Sequence, residues 1–246
     1  MFSIFKKKYP AIAVDFSGLG TDMHSHLLPG IDDGSPDLDT SVQLKKGLED
    51  LGFRQFIVTP HIMWDLYKND AVSIDGALKN LQHQTNEHNN IRPAAEYFMD
   101  DYFDELMNAD KPLLAITGKK VLVEFSFVAP PIDLKEKLFK LQIKGYQPIL
   151  AHPERYSYFA GKKSLFDDFR SMGCLFQLNI LSLTGYYGKI QQQLASYLIS
   201  KNYIDFAGTD LHHYGHLEAL RKGKIAMNSL LPLIDSGRLQ NSVLAL

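Results

Sequence analysis

KKVLVEFSFVAPPIDLKEKLFKLQIKGYQPILAH, residues 119–152, holds one complete strand–helix–strand unit. Its first run, KKVLVEF (119–125), is β-branched and apolar, as a buried strand requires. In DLKEKLFKLQIKG, Leu134, Leu138 and Leu141 recur at helical spacing, and Gly145 ends the pattern. QPILAH (147–152) then reads as a second strand. Working outward, further strands are expected at TDMHSH (21–26), RQFIVTP (54–60), IRPAAEY (91–97), CLFQLN (174–179) and IDFAGTD (204–210). SPDLDTSVQLKKGLEDLG supplies another helix, with Ser35 as the N-cap before Pro36 and Gly52 as the stop. KSLFDDFRSMG repeats the scheme and ends at Gly173. Strand starts roughly 30 residues apart match βαβ units and a parallel sheet covered by helices. Seven such strands favour a closed or nearly closed barrel in one α/β domain. An open Rossmann-like sheet is the second choice, but no G-x-G-x-x-G follows an early strand. Residues 1–20 are expected to be an N-terminal extension, and 21–246 the domain proper.

Composition narrows the function. At 45% hydrophobic over 246 residues the chain can bury a substantial core, and its single Cys174 excludes a disulfide framework. A net charge of −2 argues against a nucleic-acid partner. No apolar run is long enough for membrane insertion. Lys6, Lys7 and Lys8 stand where a signal peptide needs apolar residues, so a cytoplasmic protein is expected.

The polar residues at the strand ends carry the chemistry. His24 and His26 lie at i and i+2 on the first strand, so both leave one face. His61 follows the second strand, Glu96 ends the third, Glu124 the fourth and His152 the fifth, while Asp210 and His212 end the last. Glu96 to Glu124 and Glu124 to His152 are both 28 residues, one βα unit each. These side chains therefore meet at the C-terminal rim, where barrel enzymes hold their active sites. Carboxylates on apolar strands are costly without a partner. A divalent metal resolves that cost, and mixed N/O ligation suits Mn, Fe or Zn better than Ca or Mg. So many ligands, with one bridging carboxylate, suit three metal ions. His83 and His88 sit in a polar helix end and are assigned to solvent, and Cys174 to the core.

DMHSHLLPGIDDG, VTPH, the Glu of AAEYF, VLVEFS, ILAHPERY and GTDLH, in that order, resemble the polymerase-and-histidinol-phosphatase (PHP) superfamily. More narrowly, they are similar to bacterial protein-tyrosine phosphatases of the capsular and exopolysaccharide type. The resemblance spans about residues 20–220. It implies a distorted (β/α)7 TIM-like barrel with three metals, often manganese, at its C-terminal rim. By position, His24, His26, Glu96 and Asp210 would hold the first metal. Glu96 would bridge to a second, completed by Glu124 and His152, while Asp33, His61 and His212 would hold the third. Asp32 is an alternative to Asp33. Arg155 matches the arginine with which the family binds the substrate phosphate, and Arg155, Glu96 and Asp210 would be the catalytic residues.

The resemblance also implies a phosphotyrosine-bearing protein as partner, a tyrosine kinase of polysaccharide synthesis or export, and self-association into a homo-oligomer. Relatives often carry a basic loop after the second-strand His and an arginine after the last one. Here the segments read IMWDLYKND and HYGHLEALR, with His213 and His216 near the latter place. Met63, Trp64 and Tyr67 could wall an aromatic substrate or simply pack on the rim. The mechanism that fits is in-line attack on phosphorus by a hydroxide formed between two metals. Asp210, His212 or His213 could serve as proton donor. A small-molecule phosphomonoesterase such as a histidinol-phosphate phosphatase, and a non-catalytic metal-stabilised binding module, are the alternatives.

Overall fold

The computed structural model describes residues 14–244. In chain order the chain forms β1 (Thr21–Asp22), α1 (Leu38–Asp50), β2 (Gln55–Val58), β3 (His61–Ile62), α2 (Ala71–Thr85), β4 (Ile91–Pro93) and β5 (Glu96–Phe98). There follow α3 (Asp101–Asn108), β6 (Lys120–Glu124), α4 (Leu134–Ile143), β7 (Gln147–Ala151), α5 (Ser164–Ser171) and β8 (Leu175–Asn179). The last elements are α6 (Lys189–Ser200), β9 (Phe206–Gly208), α7 (Tyr214–Arg221) and α8 (Lys224–Asp235). Every apolar run identified from sequence contains a strand.

The strands are all parallel, in two sheets ordered β1-β2-β4 and β3-β5-β6-β7-β8-β9. The second and third expected strands are each split. Pro60, between β2 and β3, has no N–H to give to a ladder. Backbone bonds nevertheless cross the gaps, from Ala94 N–H to Val58 O (2.8 Å) and from Glu96 N–H to Pro60 O (3.1 Å). Beyond the regular part of β1, His26 N–H donates to Leu211 O (2.9 Å) and Asp210 N–H to His24 O (2.8 Å). That approach depends on Gly208, where a Cβ would lie 2.8 Å from His24 Cβ.

Side-chain alternation divides the core. In β6, Val121 and Val123 join the large cluster containing Leu134, Leu138 and Leu141 of α4. Leu122, on the other face, packs with Ile57, Ile149, Leu175 and Phe206 in a smaller cluster. Strands buried on both faces read as continuous apolar runs, which is why these were visible in the sequence. The face that carries Leu122 also carries Glu124, and the face that carries Leu175 also carries Gln177 and Asn179.

Helix α1 is capped by Asp37, whose carboxylate accepts from Thr40 N–H at 2.8 Å, and not by Ser35. The Ser35 hydroxyl instead donates to Asp37 O at 2.9 Å, one step outside the helix. Gly52, Gly145 and Gly173 all have positive φ just past their helices, as expected of stop residues. Residues 1–13 of the expected extension, with Lys6 to Lys8, lie outside the described residues. Phe16 is buried, stacked on Phe53 and hydrogen-bonded through its N–H to Leu51 O. Among the described residues no helix is long and apolar enough to cross a membrane.

Candidate metal centre

All nine proposed ligands converge on one site. His61 and Glu96 come from the first residues of the short β3 and β5 that follow β2 and β4, Asp33 from the loop before α1, and the others from strand ends or the residues just past them. Glu96, which opens β5, lies among four imidazoles. Its Oε2 is 3.1 Å from His24 Nε2 and 3.4 Å from both His26 Nε2 and His61 Nδ1, and its Oε1 is 3.1 Å from His152 Nε2. Asp210 Oδ1 lies 3.3 Å from His24 Nε2, 3.4 Å from His26 Nε2 and 3.5 Å from His212 Nδ1. Glu124 Oε1 is 2.9 Å from His61 Nδ1. Asp33 Oδ1 is 3.4 Å from His61 Nε2 and 3.6 Å from His212 Nε2.

Three groups of donor atoms are close enough to share a cation. They are His24, His26, Glu96 and Asp210; then His61, Glu96 and Glu124; then His26, Asp33, His61 and His212. The first repeats the expected set. In the others His61 approaches Glu124, while His152 meets the cluster through Glu96 Oε1.

The residues fit a cation on three further observations. Glu96 Oε1, Glu124 Oε1 and His61 Nδ1 are buried without a hydrogen-bond partner, although Glu124 Oε1 faces His61 Nδ1 and Glu96 Oε1 faces His152 Nε2. Buried polar atoms of this kind call for an ion or water. His152 and Asp210 hold φ of +33° and +50°, backbone that costs a non-glycine residue about 1 kcal/mol or more. The electrostatics agree. Burial is the largest influence and opposes charge on each group, yet the facing His24 holds the Glu96 and Asp210 carboxyls well below the usual range. Burial likewise opposes charge on His61, but Glu124 beside it raises its pKa to about 9. His212 falls to about 3 through burial and the neighbouring His26. A divalent cation would displace the protons that His26 and His61 otherwise attract.

Around this cluster, neighbouring groups orient the His24 and His26 rings. Gln177 Oε1 accepts from His24 Nδ1 at 2.9 Å and from His152 N–H at 3.1 Å, so His24 turns its Nε2 lone pair inward. Asp32 Oδ2 accepts from His26 Nδ1–H at 2.8 Å, and Asp32 also accepts from the N–H groups of Gly34 and His61. This separates the two aspartates. Asp32 orients His26, and the half-exposed Asp33 points a free oxygen at the cluster. Gly34 makes the turn possible, since a Cβ there would come within 2.2 Å of His26 O. Replacing Asp32 with alanine is expected to weaken metal affinity about 10–100-fold with little change in fold, measured by competition against a chelator. Unchanged affinity would remove Asp32 from the site.

Arg155 Nη1 donates to Asp210 Oδ2 at 2.7 Å, and Asn179 Nδ2 donates to the same oxygen at 2.8 Å. Its guanidinium lies between two rings, 4.4 Å from the centroid of Phe127 and 4.2 Å from that of Tyr187. It borders a cavity of about 260 Å³ with Asp33, His61, Glu124, His152, Asp210, His212, His213 and His216. His213 caps α7 by accepting from Gly215 N–H, and His216 packs on it at 4.1 Å. Met63, Trp64 and Tyr67 do not border the cavity. Trp64 stacks instead on Tyr102 at 4.3 Å. His83 and His88 are exposed and remote from the cluster, and Cys174 is buried, as expected.

Glu154 pairs with neither Arg155 nor solvent. It is wholly buried, its Oε1 accepts from Asn179 N–H and Ser182 Oγ–H, and its Oε2 has no partner. Burial raises its pKa to about 7 from an ordinary 4.5. A raised carboxyl contributes stability that is complete below pH 4.5 and lost as the pH climbs through 7. Glu154→Gln should therefore be more stable than wild type at pH 8, by up to about 3 kcal/mol and with a higher Tm, the gap closing below pH 5. A pH-independent difference in Tm would contradict this.

Gln177, Asn179, Phe127, Tyr187 and Glu154 were not identified from sequence. LFQLN held a usable signal, because Gln177 and Asn179 interrupt a buried strand as Glu124 interrupts VLVEF.

Convergent imidazoles and carboxylates at one end of a parallel α/β domain, with an arginine at the mouth, define a metal-dependent hydrolase site. The chain belongs to the CpsB/CapC family of capsular polysaccharide synthesis, whose model matches residues 20–226. It is 30% identical over 196 residues to tyrosine-protein phosphatase YwqE of Bacillus subtilis, covering 78% of this chain and 77% of that one. It is 27% identical over 201 residues to tyrosine-protein phosphatase CpsB of Streptococcus agalactiae, covering 78% and 82%. Among solved structures, those of YwqE from Bacillus subtilis and CpsB from Streptococcus pneumoniae, described as unique metal-dependent tyrosine phosphatases, include a chain that superposes with a TM-score of 0.76. The identity there is 28%, over 86% of each chain.

Proposed function

We propose that this chain is a metal-dependent protein-tyrosine phosphatase acting on a tyrosine kinase of capsular or exopolysaccharide synthesis. The observation that carries the reading is Arg155, held against Asp210 in a cavity lined by six of the nine proposed ligands, with His24, His26 and Glu96 packed behind them. His24, His26, Glu96 and Asp210 would hold one divalent ion, Glu96 and Glu124 a second with His152 or the adjacent His61, and Asp33, His61 and His212 a third. Manganese is the first choice, with iron and zinc chemically suited. When bound, such ions lower the pKa of water toward about 7 and neutralise phosphoryl charge.

The chain's own residues do the rest. Arg155 has one N–H on Asp210 and presents others to the phosphoryl oxygens. Phe127 and Tyr187 both pack against the guanidinium, which restricts its movement. Glu96 and Asp210 hold the imidazole rings at fixed separations. A tyrosyl leaving group, with a pKa of about 10, departs with little protonation. A serine alkoxide needs an acid, and of Asp210, His212 and His213 only His213 lies outside the proposed ligand set.

The fold is read as a distorted (β/α)7 barrel over residues 21–246. The backbone bonds joining 24–26 to 210–211, and 58–60 to 94–96, support that closure. A cytoplasmic location and self-association complete the reading; Phe139 and Ile143, exposed four residues apart on α4, offer a face for the latter. The test is hydrolysis by the manganese-loaded protein of a phosphotyrosine peptide, a phosphoserine peptide and histidinol phosphate. Chelator-sensitive preference for phosphotyrosine is expected. Turnover of histidinol phosphate alone would replace the substrate while keeping the ligands, and turnover of none would favour a binding module.

A further inference from the structure

A second cavity of about 220 Å³ adjoins the metal cavity and is lined by Phe127, Arg155, Ser157, Tyr187 and Gln191. Phe127, Arg155 and Tyr187 border both spaces, so the two cavities share one wall. The second space contains no carboxylate and no cation but Arg155, whose charge is already matched by Asp210. That disfavours a metal or a second phosphate as its occupant. It is also smaller than the ~300–1,000 Å³ of an independent small-molecule site.

Its polar groups are of a particular kind. Neither the Ser157 hydroxyl nor the Gln191 amide has a hydrogen-bond partner among the described residues. An amide side chain offers one acceptor and two donors, the complement of a peptide N–H and C=O. Immediately beyond Phe127 the chain is apolar and exposed. Phe127 is 44% exposed, Val128 89%, and Ile132 fully, with Ala129 and Pro130 also exposed between them. Large exposed apolar side chains beside a catalytic mouth mark a contact surface.

We infer that this second cavity and the apolar loop 127–132 form a subsite for the residue adjoining phosphotyrosine in the protein substrate. Gln191 and Ser157 hydrogen-bond its main chain, and Val128 contacts an apolar side chain. The wall of Phe127, Arg155 and Tyr187 that this cavity shares with the catalytic one selects the flanking peptide as occupant. The inference rests on the phosphotyrosine reading.

The test compares wild type with Gln191→Ala/Val128→Asp on two substrates, free phosphotyrosine and a phosphotyrosine peptide with leucine on both sides. The expected result is a KM for the peptide raised about tenfold in the variant with kcat unchanged, and kcat/KM for free phosphotyrosine within about twofold. Wild type should also prefer the leucine-flanked peptide to a glutamate-flanked one. Equal losses on both substrates, or none on either, overturn the subsite alone. A change in sedimentation mass with unaltered kinetics overturns it too, by making the loop a contact between copies of this chain. If wild type hydrolyses neither substrate, the phosphatase reading falls and the subsite falls with it.

Discussion

Glu96→Gln is expected to lower kcat by about 10³-fold or more, the largest effect of any single ligand substitution. The reason is position. Glu96 Oε2 lies within 3.4 Å of three imidazoles and Oε1 lies 3.1 Å from a fourth, so its carboxylate belongs to two donor groups at once. Glutamine keeps the shape but removes the negative charge. It also turns an N–H toward ring nitrogens whose lone pairs must face a cation. His61 also belongs to two of the groups, but His61→Ala removes a neutral donor and leaves the Glu96 charge in place, so its loss of turnover should be at least about tenfold milder. Both variants are to be assayed with metal content measured alongside. Equal losses would contradict a bridging role for Glu96, and full activity in either would remove that residue from the site.

The strands were legible because burial on both faces leaves no polar alternation. The helix stops were legible because glycine takes positive φ there. The ligands were legible for a related reason, since a carboxylate or imidazole ending an apolar strand contradicts its surroundings. Where competing residues satisfied the same local rule, the sequence was silent. Ser35 and Asp37 both suit an N-cap, and the choice depends on where the backbone enters α1. Asp32 and Asp33 are adjacent and identical in type. Which one faces the cluster is set by a loop folded so closely over His26 that only glycine fits at position 34. Gln177 and Asn179 followed the rule that exposed Glu124, but an uncharged amide is a weaker contradiction in an apolar strand. Phe127 and Tyr187 gave no signal, because aromatic residues in loops are ordinary until an arginine is found between them.

Arg155 was legible as a residue but not as a pair. Beside Glu154 in sequence, it invites a surface ion pair, yet the tight turn Pro153–Arg155 sends the two side chains apart. Glu154 goes into the interior and Arg155 goes to Asp210. Arg155→Ala is expected to lower kcat/KM for phosphotyrosine about 10²–10³-fold with metal content unchanged. Inhibition by inorganic phosphate should weaken in parallel, because the same N–H groups serve product and substrate. Lysine should not rescue: its ammonium is a point charge that cannot present two parallel donors or lie flat between Phe127 and Tyr187. Asn179 continues to hold Asp210 Oδ2 in the variant, so the carboxylate stays oriented and metal retention is a fair expectation. Loss of metal together with activity would instead make Arg155 a support for Asp210. Loss of activity with metal retained but phosphate inhibition unchanged would place its contribution in the transition state alone.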